Sequence, residues 1–450
     1  MSRSEDSKDF QHEFFETTSV RDFLARPKGA PPAGYPVEPT PDRYTPDCFE
    51  GDYRARRRAL FAHCRANPAA PTIKGFYYEL VRIASGHGPV YGAAIDAALD
   101  YVAERYDCAD FVLLGIQRLL FQLGAHPLIP PGLLEKAEAT LLAFKYWPDE
   151  PGIDSMCSWT ENHQIMFSTN EYLAGSFYPD RTFSNSGMKG RDKAARAGSR
   201  ITDWMELRFK TGFNEWLSNV YFDEDLTALI NLVDFAPDEE IALRAASLAD
   251  LLLFDIALNS FRGCFVSSHG RSYSREKSSA LLESTTDTSK LLFGRGIFAG
   301  ADNMSAVSIG LSEKYRMPRV LFEVANDAPA AAVVNRQRAG IRIDEAKRWG
   351  IDYCDDDGAM KLLSFEAYAH PKTFAHTLRL FDKYRWWQNQ FFAPFGERRV
   401  LIELLRRSGL HHLVTRLFRR DLNRNTRQEV NLYTYRSAHY QLSCAQDYYP

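Results

Sequence analysis

The stretch WTENHQIMFSTNEYLAGSFYPD, Trp159 to Asp180, decides how the rest of the chain is read. It starts as a polar helix entrance and continues as a mostly apolar helix. At that entrance Glu161, Asn162 and His163 stand side by side, so a carboxylate, an amide and an imidazole meet at the mouth of a buried helix. Thr160 is placed to cap the helix, and Asn162 and His163 could serve only to satisfy its start.

Outward from this helix the apolar period stays near 3.6. DYRARRRALFAHCRAN (52–67) and IKGFYYELVRIASG (73–86) read as short helices divided by prolines. AAIDAALDYVAERY (93–106) and CADFVLLGIQRLLFQLG (108–124) repeat apolar residues at three- and four-residue intervals. PPGLLEKAEATLLAFKYW (130–147) opens with proline at a helix entrance. RDKAARAGSRITDWMELRFKTG (191–212), FDEDLTALINLVDFA (222–236) and DEEIALRAASLADLLLFDIALNSF (238–261) follow, and FGERRVLIELLRRSGLHHLVTRLFRRDL (395–422) is a late helical region. Gly, Pro and Asp mark the breaks. Helices of matched length with short polar joints imply stacked hairpins, best arranged as a curved array or closed toroid around a concave centre.

The ends differ from this body. Residues 1–50 form a polar, proline-rich arm with RPKGAPPAGYPVEPTPDRYTPD (26–47), expected to be extended and draped on the body or disordered. QEVNLYTYRSAHYQLSCAQDYYP (428–450) alternates and is rich in Tyr, Val and Leu, so residues 426–450 are expected to hold one or two strands with a turn at RSAH. Such strands must dock on the helices or begin a β-domain. The helical domain between them spans 51–425.

Composition is that of a globular protein, and a formal net charge of -3 argues against a general nucleic-acid binder. Aromatic residues make up 13%, enough for a large core and also for a groove on which sugar rings stack. Seven scattered cysteines without a CxxC speak for reduced thiols rather than disulfides or a zinc knuckle. No long apolar run or export signal is visible, so no membrane partner and a cytoplasmic location are expected. No metal or cofactor is called for.

Three segments at helix boundaries carry chemistry: Glu161-Asn162-His163; KTGFNEWLSNVYFDEDLTALINL (210–232) with Glu215, Trp216 and Tyr221; and SSHGRSYSREK (267–277) with His269, Arg271 and Tyr273. These residue types suit β-elimination from a uronic acid. Asn and Arg donors on the sugar carboxylate stabilise the enolate-like charge that develops. A His or a Tyr oxyanion removes the proton, and a Tyr hydroxyl protonates the departing oxygen. Tyr, at about 10, needs a neighbouring cation to act as base, a field His163, His269 or Arg271 could supply.

NHQIMFSTNEYLAG (162–175) resembles the Asn-His segment of alginate and heparin lyases of the heparinase II/III-like group, where an Asn-His pair opens a toroid helix ending in small residues. GFNEWLSNVYFDEDLTALINL (212–232) is similar to that group's Tyr-bearing segment, with Gly212, Glu215, Ser218, Tyr221, Leu226, Leu229 and Leu232 on the pattern. The resemblance covers about a third of the chain. It implies a mainly α fold, an incomplete (α/α)6-type toroid of helical hairpins with a short C-terminal β segment. It further implies carboxylate neutralisation by Asn162, base and acid roles for His163 and Tyr221, and an anionic oligo- or polysaccharide as substrate. Two departures stand out: the family's long β-sandwich region has only a fragment here, and the further catalytic His of that region is not identifiable.

Substrate contacts are expected from Glu161, Glu215, Trp216 as a stacking platform, His269, Arg271, Tyr273, and Lys189 beside the loop FSNSGMKG (183–190). The competing enzyme reading is a glycoside hydrolase on the same toroid, with a carboxylate pair from Asp154, Glu161, Glu215, Asp223 and Asp225. A non-catalytic glycan-binding toroid is the third. DYCDDDG (352–358) lacks EF-hand spacing and reads as an acidic turn, and GRGIFAG (294–300) lacks the strand a dinucleotide site needs. RRSGLHHLVTRLFRRDLNR (406–424) is basic and amphipathic. A solvated face, or packing against the terminal strands, is expected ahead of membrane or nucleic-acid contact.

Overall fold

The computed structural model describes residues 17–48, 51–152, 154–298, 303–327 and 332–446. Helix accounts for 53% of the chain, as the apolar periodicity requires. Five helices frame the region of interest: α1 (Ala109–Phe121), α2 (Glu161–Phe177), α3 (Gly190–Thr211), α4 (Phe222–Phe235) and α5 (Glu239–Leu258).

Helix α2 is the core element. Every residue from Glu161 to Gly175 is buried, polar Asn162, Gln164, Asn170 and Glu171 among them, so this stretch has no solvent-facing polar side. It packs against α1, α3 and α4. Ile165, Met166, Phe167 and Leu173 are almost fully excluded from water, each worth about 1.5–3 kcal/mol.

Helix α3 runs back along α2. At one end Trp204 Nε1 donates to the Glu161 carbonyl at 3.0 Å. At the other the backbones nearly touch, since a Cβ on Gly175 would lie 2.4 Å from the Gly190 carbonyl. The small pair Ala174-Gly175 is thus what lets the two helices cross. Between these ends the interface is ionic. Buried Glu171 is bridged by Lys193 at 3.1 Å and by Arg196 at 2.5 Å, and pairs with Arg200. Burial pushes the Glu171 carboxyl up, and these three cations outweigh it and hold it below the usual range.

The β structure exceeds expectation. After α5 a short hairpin forms from β1 (Ser260–Phe261) and β2 (Cys264–Phe265). The C-terminal strands β4 (Val430–Arg436) and β5 (Gln441–Gln446) turn at Ser437–Tyr440 and are joined by β3 (Val333–Ala339), giving an antiparallel sheet of order β3-β4-β5. β3 lies inside the stretch expected to be wholly helical. The sheet docks on the end of α5: Thr434 Oγ1 donates to Asn259 Oδ1 at 2.7 Å, and Gln337 Nε2 to Asp255 Oδ1 at 2.6 Å. Buried Val430, Leu432, Thr434 and Arg436 alternate with half-buried neighbours on the strand between them.

The described part of the N-terminal arm, 17–48, lies on the helical body. Arg26 Nη1 donates to Glu104 at 2.7 Å, and Tyr35 reaches buried Glu79 at 2.6 Å. Among the described residues, no helix is long and apolar enough to cross a membrane.

Candidate active site

The start of α2 anchors the site. Glu161 is wholly buried and its carboxylate accepts the backbone N–H groups of Asn214 at 2.8 Å and Glu215 at 3.1 Å. It also pairs with buried Arg208 at 2.5 Å. Burial raises Glu161 to about 7 against the pull of Arg208. Its oxygens therefore hold the 212–220 loop, whereas the sequence placed this residue at the substrate.

That loop turns sharply, with Gly212 at φ +73° and Leu217, a non-glycine, at φ +47°. Its sequel delivers Glu215 and Tyr221. Asn162 Nδ2 donates to both Glu215 oxygens, at 2.8 and 3.1 Å, while Asn162 Oδ1 is buried without a hydrogen bond. Glu215 also pairs with the Arg271 guanidinium. An amide and a guanidinium thus converge on one carboxylate.

The 267–273 loop closes over this arrangement. Ser218 Oγ donates to the Arg271 carbonyl at 2.9 Å, and Gly270 N–H donates to the Trp216 carbonyl at 2.9 Å. Gly270 is required here, because a Cβ would lie 2.4 Å from the Trp216 indole. Trp216 is 5% exposed, so its face is covered by the loop and is not open to a sugar ring. His269 pairs through Nδ1 with the Leu217 carbonyl, and burial lowers its pKa, so it pins the loop as a neutral ring.

The Arg271 guanidinium carbon lies 4.1 Å from the Tyr221 ring centroid, and its Nη2 donates to the Tyr273 hydroxyl at 3.2 Å. The Tyr221 and Tyr273 hydroxyls bond to each other. Tyr221 is 7% exposed and Tyr273 49%, so the pair runs from the interior to the surface. Burial pushes the Tyr221 phenol well above its usual value, with Arg271 pulling the other way. The phenol therefore keeps its proton at neutral pH.

His163 lies one residue beyond Asn162. Its ring stacks on Phe111 of α1 at 5.1 Å between centroids, and Nδ1 sits 2.8 Å from Asp110 Oδ2. Burial opposes the imidazolium, but Asp110 and Asp107 outweigh it and the pKa rises. The Arg271 charge reaches His163 and acts in the opposite direction. Asp107, Cys108 and His163 also bring a carboxylate, a thiol and an imidazole within 4.8 Å of one another. Burial raises the Cys108 thiol well above its usual value, which opposes the thiolate a metal would need.

Two residues of the cluster had no sequence signal. Glu366, at φ +54°, lies 3.4 Å from Arg271, and Arg427 pairs with Glu366 while donating from Nε to the Gly270 carbonyl at 3.2 Å. Burial raises Glu366, but Arg427 and Arg271 prevail and hold it low. Lys189 is not part of the site. It is exposed at the far end of α2, donating to the Asp180 carbonyl at 3.0 Å. Of the other carboxylates, Asp154 pairs with Lys145 at 2.5 Å, Asp223 with Lys74 at 3.4 Å, and burial with neighbouring Glu161, Glu215 and Glu224 pushes the Asp225 carboxyl well above the usual range.

Two cavities, of about 360 and 300 Å³, open on other residues of α2, including Gln164 and Ser168 in the first and Phe167 in the second, and neither is lined by Asn162, His163 or Tyr221. No protein-family model matches the chain, and neither a curated protein nor a solved structure matches it.

Proposed function

We propose that this chain is a polysaccharide lyase of the heparinase II/III-like kind, an incomplete (α/α) toroid that cleaves a uronic-acid-containing glycan by β-elimination. The observation that carries the reading is that Asn162 and Arg271, from separate segments, both meet one carboxylate, that of Glu215, and that the same Arg271 guanidinium lies over the Tyr221 ring. Donors arranged for a carboxylate suit the acid group of a uronate, whose developing enolate charge they would stabilise. His163, oriented by Asp110, is the base that takes the proton alpha to that acid group. Tyr221, protonated at neutral pH and linked to the surface through Tyr273, is the acid that protonates the departing glycosidic oxygen. Glu215 positions Asn162 and Arg271 rather than meeting the sugar itself.

The reaction consumes no water and leaves a double bond conjugated to the carboxylate. Incubation with a panel of uronate polymers, followed by ultraviolet absorbance, tests it. Absorbance growing in step with new reducing ends, one unsaturated end for each bond cleaved, is the expected result. Reducing ends without absorbance would assign a hydrolase, and affinity without turnover a binding protein.

A further inference from the structure

The late helices α6 (Arg399–Arg407) and α7 (His411–Leu417) are each amphipathic, and each turns apolar side chains to solvent. Val400, Leu401 and Leu404 on α6 are 77%, 56% and 60% exposed, and Leu413 and Leu417 on α7 are 54% and 70% exposed. Leu410, Phe418 and Leu422 extend the exposure on either side of α7. The spacings place 400, 401 and 404 on one face of α6 and 413 and 417 on one face of α7. The terminal strands, which could have covered such faces, dock on the end of α5 instead. Isolated exposed leucines are ordinary; stripes on two successive helices are not.

The same segment is strongly cationic. Residues 397–424 hold eight arginines against three carboxylates, in a chain whose net charge is -3. Among the described residues, Arg407, Arg416 and Arg420 are exposed and have no ion pair. We infer that α6 and α7 form a docking surface for an anionic lipid membrane, lying in its interface with the leucines among the acyl chains and the arginines on the phosphates.

Leucines flanked by arginines on helices too short to span are the composition of an interfacial helix. A second copy of this chain fits poorly, since face-to-face contact would set the arginines against their own counterparts. A nucleic acid would satisfy the arginines and leave the leucines in water. An anionic lipid surface satisfies both at once, each arginine near it adding to the attraction. The inference is independent of the lyase reading.

Co-sedimentation of the full chain with vesicles tests it, using phosphatidylcholine alone and phosphatidylcholine mixed with phosphatidylglycerol. The protein should pellet with the mixed vesicles and stay in solution with the neutral ones. Leu413→Glu/Leu417→Glu, at exposed positions, should weaken binding about tenfold or more with an unchanged circular dichroism spectrum. Arg416→Gln/Arg420→Gln should weaken it and flatten its salt dependence. Absence from the mixed-vesicle pellet at low salt would overturn the assignment, as would pelleting that the leucine variant leaves intact. Self-association in gel filtration that the leucine variant abolishes, without vesicle binding, would assign the surface to a second copy instead.

Discussion

Glu215 and Arg271, 56 residues apart in the chain, form an ion pair whose carboxylate also receives the Asn162 amide. Glu215 is fully buried while Arg271 keeps a partly exposed edge and a second carboxylate, Glu366, at 3.4 Å. Removing Glu215 therefore does not strand the guanidinium, but it leaves the Asn162 amide only a long bond of 3.4 Å to Thr160 Oγ1. Glu215→Ala should cost about 2–4 kcal/mol in urea unfolding, less than Arg271→Ala, which leaves a buried carboxylate uncompensated. An equal or reversed order would show that Glu366 does not share the charge.

Tyr221→Phe removes one hydroxyl and its bond to Tyr273. Stability should fall by about 1 kcal/mol, while turnover on a uronate polymer should drop by about a hundredfold or more. Absorbance kinetics on a variant with a native-like melting curve decide this, and wild-type turnover would remove Tyr221 from the chemistry.

His163 gains its proton affinity from Asp110 and Asp107. A pKa raised on folding stabilises the folded chain fully below the unfolded imidazole value of about 6.5, and that contribution disappears as pH rises through the folded value. Asp110→Asn should accordingly destabilise more at pH 6 than at pH 9. It should also move the imidazole titration, followed by NMR, to lower pH. An unmoved titration would show that Asp110 does not set the charge of the ring.

Glu283 is the opposite case. Burial raises its carboxyl to about 8, and among the described residues Thr285 alone bonds it, through N–H at 2.7 Å and Oγ1 at 2.6 Å. The unfolded carboxyl ionises near 4.3 and the folded one near 8, so stability is lost as pH climbs between those values. Glu283→Gln should stabilise the protein at pH 8 relative to wild type and do so far less at pH 5. Denaturation at the two pH values checks it; equal effects would contradict the burial argument.

The helices were legible because burying one face imposes a 3.6-residue period on local sequence. Asn162, His163, Tyr221 and Arg271 were legible as polar groups at helix entrances and loops, where a buried chain has little reason to spend them. Glu366 and Arg427 were not, since each sits in an unremarkable loop and acquires meaning only from a partner far away in sequence. Lys189 misled through proximity in the chain: a helix of 17 residues separates it from Asn162 by about 25 Å. β3 escaped notice because VVNRQRA alternates with charge rather than with a hydrophobic face, its pairing supplied by β4.

β4 lies between β3 and β5, so the centre of the sheet is made long after one of its edges. A growing chain that has not yet emitted Val430 carries Val333–Ala339 with its amide edge bare, and Ser267 without the Ser443 hydroxyl that meets it at 3.0 Å. The wall behind the His269 loop is thus absent until Ser443 has emerged. Ribosomal stalling or proteolysis before residue 430 would release a helical species with a bare strand edge, prone to edge-to-edge aggregation.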